Sequence, residues 1–443
     1  METTAIKTTF PKYAAYKDSG VEWLGEIPEH WALLSNKNIF NLKKNQVGKK
    51  SADYVLLSLT LKGIIIRVLE DGGKFPAEFD TYQEVKKGDF VFCLFDVEET
   101  PRCVGISDYE GMITGAYTVM EVKSNFDKRF LYYFYLNLDV DKRMRPLYTG
   151  LRNTISKDNF FAFKTFVPSL PEQTAIAAFL DDKTAKIDRA IAQKQQMIAL
   201  LKERKQIIIQ NAVTGQLKMD NGQWIMRPKS EMKDSGVEWI GQIPEGWEVK
   251  RLKYVGNSII GLTYSPNDLC DENQGTLVFR SSNLFEGKIK YGDNVYVKSK
   301  ISDKLMVKEN DILICSRNGS RDLIGKCALI SKEDIGASFG AFTTVFRSEI
   351  NPYIFCILNS SVFKALSGSF LTSTINQLTI GNLNSIFVPV PSKVEQEELK
   401  NYVNDFSAKI DQAISLQQKQ IEKLKEYKAT LIDSAVMGKI KIG

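Results

Sequence analysis

One stretch of this chain is written twice. Lys17-Asp18-Ser19-Gly20-Val21-Glu22-Trp23-Leu24-Gly25-Glu26-Ile27-Pro28-Glu29-His30-Trp31 returns as Lys233-Asp234-Ser235-Gly236-Val237-Glu238-Trp239-Ile240-Gly241-Gln242-Ile243-Pro244-Glu245-Gly246-Trp247, a shift of 216 residues (17 to 233). A second set recurs near the end of each half at a shift of 223 (172 to 395). Glu172-Gln173, Lys186-Ile187-Asp188 and Ala212-Val213-Thr214-Gly215 return as Glu395-Gln396, Lys409-Ile410-Asp411 and Ala435-Val436-Met437-Gly438. Between these motifs the halves differ. A duplicated framework around diverged inserts implies two copies of one fold that present two different surfaces in one fixed geometry.

The second set of repeats lies in two long helical runs. From Pro171 to Val213, and from Lys393 to Val436, there is no glycine and no proline after the first residue. Each run predicts an α-helix of ~65 Å. Leu180, Ile187, Lys194, Leu201 and Ile208 fall every seven residues, with Thr184, Ile191, Ile198, Lys205 and Ala212 between them. The second run repeats the register with Val403, Ile410, Gln417, Leu424 and Leu431, and with Ser407, Ile414, Ile421, Lys428 and Ala435. This is a coiled-coil seam with polar residues at equivalent places, of the kind that fixes register. It predicts that the two helices pack on each other. Heptads alone do not decide between parallel and antiparallel. Gly215 and Gly438 stand where glycine ends a helix.

The inserts, residues 32–167 and 248–388, read as β-rich α/β domains. Short apolar runs such as 53–59, 89–94 and 311–315 predict core strands. Faint echoes join the two inserts: Gly115-Ala116-Tyr117-Thr118 with Gly340-Ala341-Phe342-Thr343, Thr154-Ile155 with Thr374-Ile375, and Phe166-Val167-Pro168 with Phe387-Val388-Pro389. They therefore share a fold but not a surface. The remaining divisions are a framework segment at 1–31, a central helix at 168–217, a linker with the second framework repeat at 218–247, and a final helix at 389–443. Polar loops between the strands are the candidate DNA-contacting residues. In the first insert these are Lys44, Lys49, Lys50, Lys62, Arg67, Thr149, Arg152 and Asn153. In the second they are Arg280, Asn283, Arg317, Asn318, Ser320, Arg321, Thr372, Thr374 and Asn376. Arginine can bond guanine through two donors, asparagine can bond adenine, and Lys, Ser and Thr can hold phosphates.

Several function classes are disfavoured. The single histidine, His30, is matched by Gly246 in the second repeat. It reads as a surface turn residue, and His-based zinc or nucleophile chemistry is not expected. Six scattered cysteines read as reduced and mostly buried. The net charge of +6 is compatible with nucleic acid without being diagnostic. No apolar run reaches the ~20 residues of a membrane span, and the first residues lack a signal-peptide core, so a cytoplasmic protein without a membrane partner is expected. There is no Gly-x-x-x-x-Gly-Lys-Ser/Thr phosphate loop and no Gly-x-Gly-x-x-Gly turn. Asn351-Pro352-Tyr353 lacks the second proline of an amino-methyltransferase motif; Asn351 reads as a helix cap, with the helix running to about Lys364. Asp181-Asp182 on the first long helix is expected to face solvent.

Two copies of Asp-Ser-Gly-Val-Glu-Trp-x-Gly-x-Ile-Pro-Glu-x-Trp, each before an insert and a long helix that opens on Glu-Gln, resemble the specificity subunit of type I restriction–modification systems. The resemblance covers nearly the whole chain. It implies an α+β architecture: two target recognition domains, separated by two long helices in an antiparallel coiled coil, with an internal pseudo-twofold repeat. Each insert would read half of a split, asymmetric target in double-stranded DNA. The helices would set the spacer and dock two methylation subunits, with restriction/motor subunits joining through the complex. S-adenosylmethionine, ATP and Mg would belong to those partners, and this chain would hold no cofactor and no metal and would catalyse nothing. From the residues alone, a self-contained DNA methyltransferase and a coiled-coil scaffold without a DNA role stay open.

Overall fold

The computed structural model describes residues 10–20, 25–68, 79–369 and 376–442. The chain forms two compact units: unit 1 is Met1–Lys194 with Lys419–Gly443, and unit 2 is Gln195–Gln418. Among the described residues the α-helices are, in chain order, α1 (Lys128–Val140), α2 (Lys157–Ala162), α3 (Leu170–Val213), α4 (Asn351–Leu358), α5 (Ser361–Ser369), α6 (Ile380–Ser385) and α7 (Lys393–Val436). Each unit takes one framework repeat, one insert, and half of each long helix. Among the described residues no helix is long and apolar enough to cross a membrane.

The inserts are built on the same sheet. In unit 1 a four-stranded antiparallel sheet runs in the order Phe40–Leu42, Thr118–Val122, Phe90–Phe92, Val104–Ile106. In unit 2 the order is Asn257–Ile260, Thr343–Arg347, Ile312–Cys315, Cys327–Leu329. The third strand of each sheet is apolar at successive residues and buried along its whole length, because both faces are covered. α1 packs Phe130, Phe134, Tyr135 and Leu138 into the first core, and α4 packs Ile354, Ile357 and Leu358 into the second. A strand pair closes each insert: Ala32–Ser35 with Lys164–Val167, and Glu248–Arg251 with Phe387–Val390. The Phe-Val-Pro echo is the closing strand. Five of the cysteines, Cys93, Cys103, Cys315, Cys327 and Cys356, are buried.

The repeated residues are spent on each other. Trp31 Nε1 donates to Glu172 Oε1 at 3.2 Å, and Trp247 Nε1 donates to Glu395 Oε1 at 3.2 Å. Gln173 Nε2 donates to the Pro168 carbonyl at 2.9 Å, and Gln396 Nε2 to the Pro391 carbonyl at 2.8 Å. Thus the Glu-Gln pair that opens each helix clasps the framework tryptophan with one residue and the preceding turn with the other. His30 is exposed as expected but also reaches Glu172 Oε2, at 2.9 Å. At the other helix ends, Gly215 and Gly438 have φ of +71° and +68°. A Cβ on Gly215 would stand 2.3 Å from Pro244, and one on Gly438 2.4 Å from Pro28. Only glycine fits there, for the dihedral and for the space.

Within each unit the halves of α3 and α7 run antiparallel. In unit 1 Asp188 pairs with Lys428 at 2.7 Å, while Lys194, further along α3, bonds Gln420, earlier in α7, at 2.5 Å. In unit 2 Lys205 pairs with Asp411 at 2.8 Å. The two Lys–Asp bridges are the same contact repeated, so the polar seam positions Lys205 and Lys428 are matched by the aspartates of Lys-Ile-Asp. Of the predicted seam, Leu180, Ile187, Val403, Ile410, Ile414, Ile421 and Leu431 are buried, and Ile191, Ile198, Leu201, Ile208 and Leu424 are half-buried.

Two local expectations are corrected. Asn351 does not cap α4 with its side chain. It is fully buried, and its Nδ2 donates to the carbonyls of Asn310 and Phe346, both at 2.8 Å. The helical stretch also breaks after Leu358 and restarts as α5. Asp181 does not simply face solvent: it accepts from Arg129 at 2.6 Å and from the Tyr133 hydroxyl at 2.7 Å, tying α3 to α1. Asp182 is exposed and pairs with Lys186.

Candidate nucleic-acid interface

In unit 2 loops far apart in sequence meet at the end of the sheet. The loop after the buried strand Ile312–Cys315 carries Arg317, Asn318, Ser320 and Arg321. Asn318 Nδ2 donates to Ser281 Oγ at 3.0 Å, and Asn376 Nδ2 donates to the Gly319 carbonyl at 3.1 Å. The three segments named from sequence, around 280–283, 316–321 and 376, are therefore one surface. The Arg317 backbone N–H donates to the Phe342 carbonyl at 3.0 Å. Its guanidinium lies 5.4 Å from the centroid of the Phe342 ring, within cation–π range. Arg317 and Ser320 are exposed, and Arg321 donates to the Gly368 carbonyl at 3.2 Å. Arg280 pairs with Asp293 at 2.7 Å. Thr372 and Thr374 lie outside the described residues.

Asn283 is a correction. It is fully buried: its Oδ1 accepts from the Arg280 N–H at 2.9 Å, and its Nδ2 donates to the Lys290 carbonyl at 3.0 Å. Its amide is used up in holding a turn and does not reach a surface. Phe342, 59% exposed, was missed. Its signal was present in the Gly-Ala-aromatic-Thr echo, where Tyr117 is the counterpart. In unit 1 Tyr117 stacks with Phe95, centroids 5.9 Å apart and planes at 20°. An aromatic pair thus stands in one insert where arginine on aromatic stands in the other.

In unit 1 the candidates fall on separate segments. Lys44, Lys49 and Lys50 are exposed, on a segment bonded to the strand Gln83–Val85 through Glu84 N–H and the Asn45 carbonyl at 2.8 Å. Lys62 is exposed in the turn of the hairpin Leu57–Thr60/Gly63–Ile66, and Arg67 follows it, half-buried. Thr149, Arg152 and Asn153 lie on the hairpin Tyr148–Thr149/Thr154–Ile155. Thr149 Oγ1 donates to the Thr154 carbonyl at 2.9 Å. The Arg152 guanidinium forks onto Asp96, with Nε at 3.0 Å, and Asn153 Nδ2 donates to Glu99 at 3.1 Å. The Arg152 hydrogen bond holds the Asp96 carboxyl below its usual value, and Arg145 does the same for Glu98. These donors therefore have acidic partners in this structure, a feature not legible from residues 56 and 54 positions apart.

The comparisons with known proteins agree with this geometry. A family model, type I restriction modification DNA specificity domain, matches residues 104–199 and 244–426. The chain is 26% identical over 207 residues to the type I restriction enzyme EcoKI specificity subunit of Escherichia coli K12, spanning 45% of this chain and 44% of that protein. It is 24% identical over 436 residues to the type I restriction enzyme MjaVIII specificity subunit of Methanocaldococcus jannaschii, spanning 94% of each. A solved chain from work on complex assembly and conformational transition of the type I R-M system shares the fold with a TM-score of 0.66 at 14% identity, covering 93% of this chain and 98% of that one. With more than half of its length matched by the family model, the chain belongs to the type I restriction modification DNA specificity family, as a DNA-recognition subunit.

Proposed function

We propose that each unit reads one half of a bipartite, asymmetric DNA target, and that the chain is a non-catalytic subunit whose long helices set the spacer. One observation carries this reading. The repeated residues are consumed in internal clasps and bridges, whereas the candidate residues of each insert, which differ between the two, lie on loops and turns. Two unlike surfaces on one duplicated frame fit two unlike half-sites. Arg317 on Phe342 presents a planar fork of donors suited to a base edge. The exposed lysines at 44, 49, 50 and 62 suit phosphates, which position without specifying. In unit 2 Arg280, Asn318, Ser320, Arg321 and Asn376 lie on the Arg317 surface; in unit 1 Thr149, Arg152 and Asn153 lie on one hairpin, with Arg152 and Asn153 able to contact DNA only by leaving their acidic partners.

The partners in this reading are double-stranded DNA, two methylation subunits and, through the complex, restriction/motor subunits. S-adenosylmethionine, ATP and Mg are theirs, and the target base is an adenine in each half-site. Methylation sequencing of a host carrying the system tests it. The expected motif is two different short sequences around an unread spacer of fixed length, absent when this chain is deleted. A contiguous or palindromic motif would overturn the reading.

A further inference from the structure

Leu151 is the most exposed large apolar residue among the described ones, with a relative accessibility of 104%. It stands at the tip of the hairpin Tyr148–Thr149/Thr154–Ile155. The tip is held on its C-terminal side, and Thr149 pairs with Thr154 at its base. Asp96 N–H donates to the Arg152 carbonyl at 2.9 Å, and Val97 N–H to the Asn153 carbonyl at 3.3 Å. Gly150 and Asn153, at φ of +69° and +44°, set the turn. A leucine projected into water, with the backbone tied just after it and at the base of the hairpin, is preorganised for a contact that this chain does not make with itself.

The chemistry of the tip narrows that contact. The side-chain donors of Arg152 and Asn153 are engaged by Asp96 and Glu99, and Arg145 is paired with Glu98. Arg152, the neighbour of Leu151, is thus paired with Asp96 and is not free to rest on a phosphate. What the tip offers is one apolar side chain. A base that is to be methylated must leave the helical stack, and apolar side chains pushed between base steps are a known way to unstack a duplex. The sequence repeats the residues alone: Leu151-Arg152-Asn153-Thr154-Ile155 is matched by Leu371-Thr372-Ser373-Thr374-Ile375, with leucine at the same distance before Thr-Ile.

We propose that Leu151 is a wedge that enters the base stack of the half-site read by unit 1, easing extrusion of the adenine there. This rests on the half-site reading above. The test uses the assembled complex with its methylation subunits and duplexes carrying 2-aminopurine beside, not at, the methylated adenine. The native complex is expected to raise the fluorescence severalfold at one step of that half-site. Leu151→Ala should abolish the rise and slow methylation of that half-site at least tenfold, with the other half-site and the melting temperature unchanged. Leu151→Phe should retain the rise. An unchanged rise and rate in Leu151→Ala overturns the wedge. So does a loss reproduced by replacing one thymine with uracil, which marks a methyl contact instead. If the native complex methylates a scrambled first half-site as fast as the true one, the half-site reading itself fails, and the wedge with it.

Discussion

At the residue scale, position decides what a side chain is for. Gly438 occupies a left-handed dihedral against Pro28 and Trp31. Gly438→Ala adds backbone strain of ~1 kcal/mol to a clash that costs ~1–3 kcal/mol. Urea unfolding should therefore show a loss of about 2–4 kcal/mol; a change below ~0.5 kcal/mol would mean that the helix end does not need glycine. Arg317 is exposed and stacked on Phe342. Arg317→Ala should weaken binding of the assembled complex by ~1–3 kcal/mol and relax one base position. A uniform loss across sequences would mark a phosphate contact instead. Such roles were only partly legible. Arg317 was named from its loop. Asn283 and Asn351 looked like surface or cap residues because asparagine favours both, yet their amides satisfy buried carbonyls that only the tertiary fold supplies.

At the element scale, α3 and α7 were legible because long runs free of internal glycine and proline, a matched register and terminal glycines all agree. Their antiparallel sense was not, since a heptad is the same in both directions. It follows from Asp188–Lys428 and Lys194–Gln420 in one unit. The end of α7 is anchored on unit 1 by Asp433, which accepts from Arg143 at 2.6 Å, Asn137 at 3.1 Å and Lys439 at 2.5 Å. Burial pushes this carboxyl up, but the three hydrogen bonds outweigh it and bring it below its usual value. A depressed folded value means that the stabilisation is full above the unfolded value of ~3.9 and is lost as pH falls through the folded one. Asp433→Asn should cost ~1–3 kcal/mol at pH 7. The gap from the parent should hold down to about pH 5 and close below about pH 4. A gap that stays constant to pH 3 would show that the charge is not what anchors the helix.

At the scale of the whole molecule, the duplication explains both what recurs and what does not. The Glu–Trp clasps, the glycine seats and the Lys–Asp bridges appear once in each unit because the framework must close twice. The sheets recur in strand order although the inserts share little sequence, since short apolar runs buried on both faces recur at matching places in each. The loop surfaces diverge, and there sequence reasoning could name segments but not their partners. Arg152 with Asp96 is the clearest case. If each unit reads its own half-site, one insert governs one half of the target. The most direct test is to replace residues 32–167 with the insert of another family member and to sequence the methylome of a host carrying the exchanged system. One new half-site is expected, with the other half-site and the spacer length unchanged. A motif changed in both halves, or in neither while the complex still assembles and methylates, would contradict that reading.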